Sequence, residues 1–218
     1  MEHTSFVMSY SGGKDSALAL WRAVQRGMEP AGMVTTYNTS QDRSWFHGIP
    51  NPLLKEVSRS LNIPLTLIPT AGEDYEEKFL EVLKTFRDRG VTACVFGDID
   101  IPAHLQWGMD ICEKAGMEAV FPLWQEPREA LVRETVALGF QARITVVNKT
   151  MLSESHLGRV LSEAEMDAIR REGADVCGEN GEYHTFVFDG PLFDHPVVHS
   201  LGEIHRWGSY AALPLLCR

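Results

Sequence analysis

A glycine-containing segment near the start of the chain has the residue types needed to bind phosphate groups. Residues 11–16 read Ser-Gly-Gly-Lys-Asp-Ser and lie between a short apolar run and an amphipathic stretch. Two adjacent glycines allow a tight turn and the close approach of an anion, because neither carries a Cβ. A lysine charge and the N-terminus of the following helix attract the same anion. We therefore predict a polyphosphate site formed by Ser11, Gly12, Gly13, Lys14, Asp15 and Ser16.

Two well-known nucleotide-binding loops do not match this segment. A Walker A loop has Gly at the position of Met8 and Ser or Thr at the position of Asp15. The dinucleotide fingerprint needs a third glycine, for which this segment has no suitable place. An ordinary Gly-Gly turn with a solvated Lys14 is the remaining alternative, and the strand-to-helix context favours the phosphate site over it.

A second candidate segment lies in the last quarter of the chain. Residues 176–185 form a predicted polar loop with two carboxylates, Glu179 and Glu182, and the imidazole of His184. Glycines flank these side chains, and an apolar run at residues 186–188 follows. Both a rigidly turned binding loop and a solvated surface turn fit this pattern.

The elements that must position these residues alternate between strand and helix. Short apolar strands are predicted at residues 5–10, 31–37, 64–69, 91–96 and 118–121. Helices are predicted at 16–26, from Pro52 with Asn51 as its N-cap, at 74–89 and at 103–115. Strands without polar alternation are typical of a parallel sheet that is covered on both faces. Right-handed crossovers make such a sheet doubly wound, and its ligands bind at the carboxyl ends of the strands.

A change of pattern near residues 121–125 predicts a domain boundary. A helix at 128–138, a β-branched strand at 142–148 and a helix that begins with a capping box at Ser162 follow it. We therefore predict an α/β fold with two domains. Residues 1–122 form the doubly wound, nucleotide-binding domain, and residues 123–218 form a smaller α+β substrate-binding domain.

Composition and charge exclude several classes of protein. The 218 residues are 44% hydrophobic and 23% charged, as in ordinary globular proteins. A net charge of −10 argues against a binder that attracts nucleic acid by charge. No apolar run approaches the roughly 20 residues that span a bilayer, and the N-terminus lacks signal-peptide features. The four cysteines form no C-x-x-C pair, so we expect a cytoplasmic protein with reduced thiols and no membrane contact.

Several motifs resemble those of a known enzyme family. Residues 11–16 after an N-terminal strand are similar to the signature of the PP-loop ATP pyrophosphatases. Residues 96–100 (Phe-Gly-Asp-Ile-Asp), 122–124 (Pro-Leu-Trp) and 178–185 (Gly-Glu-Asn-Gly-Glu-Tyr-His-Thr) resemble the diphthine–ammonia ligase family, also called ATP-binding domain 4. The likeness covers nearly the whole chain, and its last motif is specific to this branch. It implies a HUP-like sheet of the adenine nucleotide alpha hydrolase type.

The resemblance implies a reaction among ATP, ammonia and a carboxylate substrate. The PP-loop ATP pyrophosphatases split ATP between the α- and β-phosphates, adenylate an oxygen and let a nucleophile displace AMP. Mg²⁺ takes one or two carboxylates besides phosphate oxygens, and Asp15 and Asp98 are its predicted ligands. A base must accept a proton from the attacking nitrogen, and Glu179, Glu182 and His184 are all open for that role. The predicted catalytic residues are Lys14, Asp98, Glu179, Glu182 and His184.

Further binding residues are predicted at the ends of strands and in the polar loop. Thr36 and Tyr37 are expected beside the adenine, with Gly97 allowing close backbone approach, and plain strand core is the alternative for the first two. The resemblance places the substrate against Asp100, His104, Asn180, Gly181, Tyr183 and Thr185. Helix capping is the alternative role for Asp15, Asp100 and His104, and a transition metal at Asp98, Asp100 and His104 is less favoured.

The chain departs from the family pattern where substrate is expected to bind. Asn180 and His184 stand where diphthamide-type members have Gly and Glu, and Leu105 stands where relatives often have Arg. A sister branch, linked by resemblance to cobamide salvage, has a pattern closer to this one. The predicted acid is therefore diphthine on an elongation factor or, alternatively, a small corrinoid-related acid.

Two further functions and one structural question stay open. Sulfur transfer to RNA through Cys177 is one alternative, although thiolating relatives use a cysteine pair. A non-catalytic ATP-binding module is the second. The polar segment with Trp45, Phe46 and His47 is either a loop that closes over the nucleotide or a contact in a homo-oligomer.

Overall fold

Strands and helices alternate along the first part of the chain, as the sequence predicts. The computed structural model describes residues 4–40, 43–44 and 47–217. In chain order the first elements are β1 (Ser5–Ser9), α1 (Lys14–Gln25), β2 (Glu29–Asn38), β3 (Arg43–Ser44), α2 (Asn51–Leu61), β4 (Leu65–Thr70), α3 (Tyr75–Asp88), β5 (Ala93–Val95), α4 (Pro102–Ala115) and β6 (Glu118–Val120). The later elements are α5 (Arg128–Ala137), β7 (Gln141–Asn148), a 3-10 turn (Glu154–His156), α6 (Glu163–Arg171), β8 (Tyr183–Asp189), β9 (His199–Leu201), β10 (His205–Trp207), β11 (Tyr210–Ala212) and β12 (Leu215–Cys217).

The first sheet has the topology of a doubly wound fold. Its parallel strands run in the order β4–β2–β1–β5–β6. The short strand β3 pairs antiparallel with the end of β2, on the side of β1 and beyond the point where β1 ends. The predicted α/β class with a parallel sheet is confirmed, and β3 is an addition that the sequence pattern did not reveal.

Helices cover both faces of this sheet. Along β1, Phe6 and Met8 pack into a core with α1 and α2, whereas Val7 points to the opposite core, formed with α3 and α4. Successive side chains of a strand point to opposite faces, so a strand that is apolar at every position serves both cores. This explains the continuous apolar runs in the sequence.

The second part of the chain builds an antiparallel sheet. Its strands run in the order β10–β11–β7–β8, and β9 pairs with β12 in a separate ribbon. Ile144 of β7 and Phe186 of β8 belong to the same apolar core as Leu18 of α1. The antiparallel sheet therefore packs against the α1 face of the first sheet. Among the described helices, none is long and apolar enough to cross a membrane.

Element boundaries differ from prediction at two functional places. Helix α1 begins at Lys14, two residues before the predicted start, so half of the predicted phosphate loop is a helical turn. Strand β8 begins at Tyr183, within the predicted polar loop. Pairing of Tyr183 with Val147 and of His184 with Val146 extends this strand, and such long-range pairing is invisible to a local pattern.

Candidate functional site

A cavity of about 520 Å³ lies at the carboxyl ends of β1, β2 and β5. This volume is within the range of ligand sites, roughly 300–1,000 Å³. Its walls include the predicted residues Ser11, Lys14, Asp15, Ser16, Thr36, Gly97, Asp98, His104, Glu179, Gly181, Tyr183, His184 and Thr185. Within the described part of the chain, the predicted residues outside this lining are Gly12, Gly13, Tyr37, Asp100, Asn180 and Glu182.

The phosphate loop presents the N-terminus of α1 to this cavity. The N-cap is Gly13, so the cap residue itself offers no side-chain acceptor to the first turn of the helix. The first-turn N–H groups of Asp15 and Ser16 have no partner within the helix, which makes them donors for an anion. Ser11 Oγ lies 3.1 Å from Ser16 Oγ and braces the loop. Asp15 is therefore in the first turn, and its alternative role as the cap is wrong.

Lys14 places a buried positive charge beside the loop. Its Nζ lies 2.7 Å from an Asp15 carboxylate oxygen and 3.9 Å from Glu179 Oε1, and the side chain is almost fully buried. Burial by itself lowers the pKa of Lys14, but the surrounding negative groups, Asp15 first, raise it well above its ordinary value. Lys14 therefore stays protonated and can neutralise the charge of a bound polyphosphate.

Strand β8 crosses directly over the phosphate loop. Thr185 Oγ1 accepts a hydrogen bond from the Lys14 backbone N–H at 3.0 Å. The Val187 N–H donates to the Gly12 carbonyl at 2.9 Å. These contacts bring the two distant motifs, at residues 11–16 and 178–185, into one site.

His47 is a cavity residue to which the sequence assigned no chemistry. Its Nδ1 lies 2.8 Å from the Thr185 carbonyl oxygen, and its ring centroid lies 5.0 Å from that of His184. Burial, with the nearby His184, lowers the pKa of His47 to about 3. The ring is thus neutral, and because a carbonyl only accepts, Nδ1 carries the proton. A Cβ on Gly13 would lie 2.4 Å from this ring, so this glycine is needed for the packing of His47. Trp45 and Phe46 lie outside the described residues.

The carboxylates of the polar loop have different surroundings. Glu179 lines the cavity, and burial, followed by the charge of Asp15, raises its pKa to about 7. Glu182 is 2% exposed and accepts hydrogen bonds from three N–H donors, the backbone N–H groups of Asp175 and Asn180 and the Asn180 side-chain amide. These hydrogen bonds to Glu182 therefore hold the loop in shape. His184 lines the cavity, and burial, aided by the Lys14 charge, lowers its pKa.

The loop after β5 lines the cavity with several residues, among them Gly97 and Asp98, whereas Asp100 lies outside the lining. Asp98 lines the cavity, lies 3.1 Å from His104 Nδ1, and has a raised pKa because of burial. Asp100 pairs with Arg128. The N-cap of α4 is Ile101, with no side-chain cap bond among the described residues, so the alternative that Asp100 or His104 caps this helix is wrong.

One wall of the cavity is aromatic. Tyr75, Phe79 and Trp107 pack with ring centroids 5.3–6.1 Å apart, and Thr36 lines the same cavity. A flat, apolar base fits such a wall. The sequence analysis assigned these rings no role in a site, although Tyr75 and Phe79 lie one helical turn apart at the start of a helix that follows a strand.

Two pairs of acidic groups at this site suit a hard cation. Asp15 and Asp98 both line the cavity, and the Asp15 charge contributes to the raised pKa of Asp98. Ligand atoms of Asp15, Cys177 and Glu179 lie within 4.8 Å of one another. Since Mg²⁺ prefers oxygen ligands, the carboxylates fit it and the thiol does not.

Comparison with known proteins identifies the family. The model of the diphthamide synthase N-terminal domain matches residues 4–119, and that of the diphthamide synthase C-terminal domain matches residues 127–210. The chain belongs to the diphthamide synthase family. The resemblance seen in the sequence motifs is thereby confirmed.

Relatives in the diphthamide synthase family include mammalian enzymes. Diphthine–ammonia ligase of Rattus norvegicus is 26% identical over 233 residues, which are 94% of this chain and 87% of the rat protein. The Homo sapiens protein of the same name is 33% identical over 173 residues, or 76% of this chain and 65% of the human one. A predicted subunit of a tRNA methyltransferase from Methanocaldococcus jannaschii, a solved structure, covers 84% of this chain and 96% of its own at 16% identity, with a TM-score of 0.47.

Cys177 has the surroundings of a structural residue in this diphthamide synthase fold. The side chain is fully buried, and burial raises the pKa of its thiol to about 12. A nucleophilic thiol must be ionised and accessible. The geometry therefore disfavours sulfur transfer through Cys177.

Proposed function

We propose that this chain is an ATP-dependent ligase that joins ammonia to the carboxylate of diphthine. Its relatives are named as ligases of diphthine and ammonia. A carboxylate oxygen attacks the α-phosphorus of ATP, the bond from that phosphorus to the β-phosphate oxygen breaks, and pyrophosphate leaves. Ammonia then attacks the acyl carbon, the bond from carbon to the AMP oxygen breaks, and AMP leaves. The amide nitrogen loses one proton to a base.

The observation that carries this proposal is the meeting of two motifs in one cavity. The open N-terminus of α1 and the Lys14 charge supply a phosphate site. The loop at residues 178–185 brings a carboxylate and an imidazole to the same cavity. A site built only to hold ATP has no use for the second set.

We propose that the phosphates of ATP bind at residues 11–16 and that its adenine lies toward Thr36 and the aromatic wall. Asp15 and Asp98 would hold Mg²⁺, which when bound lowers the charge of the pyrophosphate that leaves. Lys14 and the first-turn N–H groups of α1 stabilise the same charge. Gly97 lets the loop after β5 approach α1 closely.

Glu179 is proposed as the base, and Glu182 as the residue that shapes its loop. Of the two, Glu179 faces the cavity, while Glu182 is buried among backbone donors of its own loop. A carboxyl group whose pKa is near 7 both accepts and releases a proton at neutral pH. His184 is proposed to line the acid substrate with Tyr183, Gly181 and Thr185.

The test is nucleotide product analysis with defined acids. The chain is incubated with ATP, Mg²⁺, ammonium and either a diphthine-bearing elongation factor or a corrinoid-derived carboxylic acid. AMP and amide formation with the elongation factor supports the proposal. AMP formation only with the corrinoid acid supports the ligase reaction and contradicts diphthine as the substrate. ADP as the product, or no AMP with any acid, contradicts the proposed ligase.

A further inference from the structure

Arg128, at the start of α5, ties together the loop after β5 and the loop at residues 175–182. Its Nε and Nη2 donate to the two oxygens of Asp100 at 2.6 and 2.9 Å. Its Nη1 donates to Asp175 Oδ2 at 2.6 Å and to Asn180 Oδ1 at 3.0 Å. All three nitrogens of the guanidinium group are therefore in use.

Each tie lies close to a residue that faces the cavity. Asp100 follows Asp98 by two residues on the loop after β5, and Asn180 follows Glu179 directly. Both Asp98 and Glu179 line the cavity. A displacement of either tied residue moves its cavity-facing neighbour, because the backbone between them is only one or two residues long.

The polar loop is stiff enough to transmit the position of Arg128. Glu182 accepts the backbone N–H groups of Asp175 and Asn180, the same two residues whose side chains contact Arg128. Segment 175–182 is thus closed on itself and anchored from outside at two points. The loop moves as a unit with its anchor.

The residue type at position 128 matters for this contact. A guanidinium fork grips one carboxylate with two parallel hydrogen bonds and still has a nitrogen for a second. Without a cation between them, the half-buried carboxylates of Asp100 and Asp175 repel each other. A lysine carries the charge but not the fork.

We propose that Arg128 is a positioning residue that fixes the separation of Asp98 and Glu179 and thereby the fit of the acid substrate. For its catalytic consequence this inference rests on the proposed function. The competing role is that of a brace that only holds the two parts of the chain together. Arg22 is such a brace, since it grips Glu134 and the Pro122 carbonyl.

The experiment compares Arg128→Met and Arg128→Lys with Arg22→Met as the matched control. In Arg128→Met, kcat/KM for the acid falls by about 100-fold, the scale of a small misplacement of reacting groups. ATP affinity measured without Mg²⁺ is unchanged, because the side-chain partners of Arg128 are Asp100, Asp175 and Asn180, which lie outside the phosphate loop. Arg128→Lys has the melting temperature of the wild type but recovers only part of the lost kcat/KM. Arg22→Met lowers the melting temperature and leaves kcat/KM as in the wild type.

Amide hydrogen exchange of the ligand-free chain tests the same contact without any activity. Exchange in segments 97–101 and 175–182 accelerates in Arg128→Met and stays as in the wild type in Arg22→Met. Unchanged exchange in both segments overturns the proposal, as does an equal loss of kcat/KM in the Arg22 variant. If the wild type makes no AMP, the proposed function fails, and the exchange result still decides whether Arg128 positions the loops.

Discussion

Glu179 and Glu182 are three residues apart, yet their carboxylates serve different purposes. Glu179→Gln should lower kcat for amide formation by about 100-fold or more, the usual contribution of a general base, with little change in melting temperature. Glu182→Gln should destabilise the chain by about 1–3 kcal/mol, because a buried carboxylate acceptor becomes an amide with unmatched donors. Steady-state kinetics and thermal unfolding separate the two effects. An inactive Glu182→Gln variant of normal stability would reverse the assignment.

Lys14 is expected to dominate nucleotide affinity. Lys14→Ala removes the charge beside the helix N-terminus and should abolish ATP binding measured by titration calorimetry. Lys114→Ala is the matched control, since Lys114 is an exposed lysine that pairs with Glu76. Equal ATP affinity of the two variants would place the nucleotide elsewhere than at residues 11–16.

The residue types of the site were predictable, but their orientations were not. Residues 11–16 and 178–185 contain charged groups and glycines at spacings that indicate chemistry. Whether Glu179 or Glu182 faces the cavity depends on the turn between them, which the local sequence does not determine. His47 was also beyond prediction, because its contacts with Gly13 and Thr185 join residues 34 and 138 positions apart along the chain.

Among the elements, the first turn of α1 depends on Gly97, which lies just after strand β5. A Cβ at Gly97 would lie 2.8 Å from the Ser16 backbone nitrogen and 2.9 Å from the Asp15 carbonyl carbon. Gly97→Ala must therefore displace the first turn of α1, and we expect weaker ATP binding and a loss of about 1–3 kcal/mol in stability. Gly202→Ala is the control, since its Cβ meets only ordinary contacts from 3.4 Å. Normal ATP affinity of the Gly97 variant would contradict this role of the glycine.

A buried histidine fastens the 3-10 turn to α6. His156 lies between Glu165, through Nδ1, and Glu172, whose Oε1 is 3.0 Å from Nε2. Hydrogen bonding to the Ser153 N–H, aided by His156, lowers the pKa of Glu172. The stability that the Glu172 carboxylate gives the fold is thus fully present above the ordinary pKa of glutamate. It is lost as the pH falls through the lowered pKa of Glu172.

Glu172→Gln should accordingly be less stable than the wild type at neutral pH. The difference in unfolding free energy should shrink as the pH falls below the range of a free glutamate, because the wild-type carboxylate is then protonated too. Urea unfolding at a series of pH values measures both. A difference that grows toward acid pH would mean that Glu172 is not stabilised as a carboxylate.

The strands and helices were predicted well where one signal is local and strong. Short apolar runs gave β1, β2 and β4, and the capping box at Ser162 gave α6, where Ser162 Oγ accepts the Glu165 N–H. Helix α2 begins one residue earlier than predicted, with Pro50 as its N-cap. Strand β3 was missed because two residues paired to the end of β2 leave no periodic pattern.

At the scale of the molecule, the two predicted domains share one core. We propose the boundary near residue 122, since the first sheet ends at Val120 and the second begins at Gln141. However, Leu18 of α1 lies in one apolar cluster with Ile144 and Phe186, and β8 is hydrogen-bonded to the phosphate loop. Two units joined in this way should fold together, unlike domains that meet only through a polar interface.

We therefore expect the full chain to unfold in a single cooperative transition, with equal calorimetric and van't Hoff enthalpies. A fragment of residues 1–122 should lack such a transition and bind a dye specific for apolar surface, because the outer face of α1 loses its cover. The matched control is the full chain cut at a protease site introduced at residues 125–127, which keeps the packing of β7 and β8 against α1 and should retain the transition. A fragment that unfolds cooperatively on its own would make the first unit an autonomous domain, and the closure of β8 over the phosphate loop would then be a docking step that can be reversed.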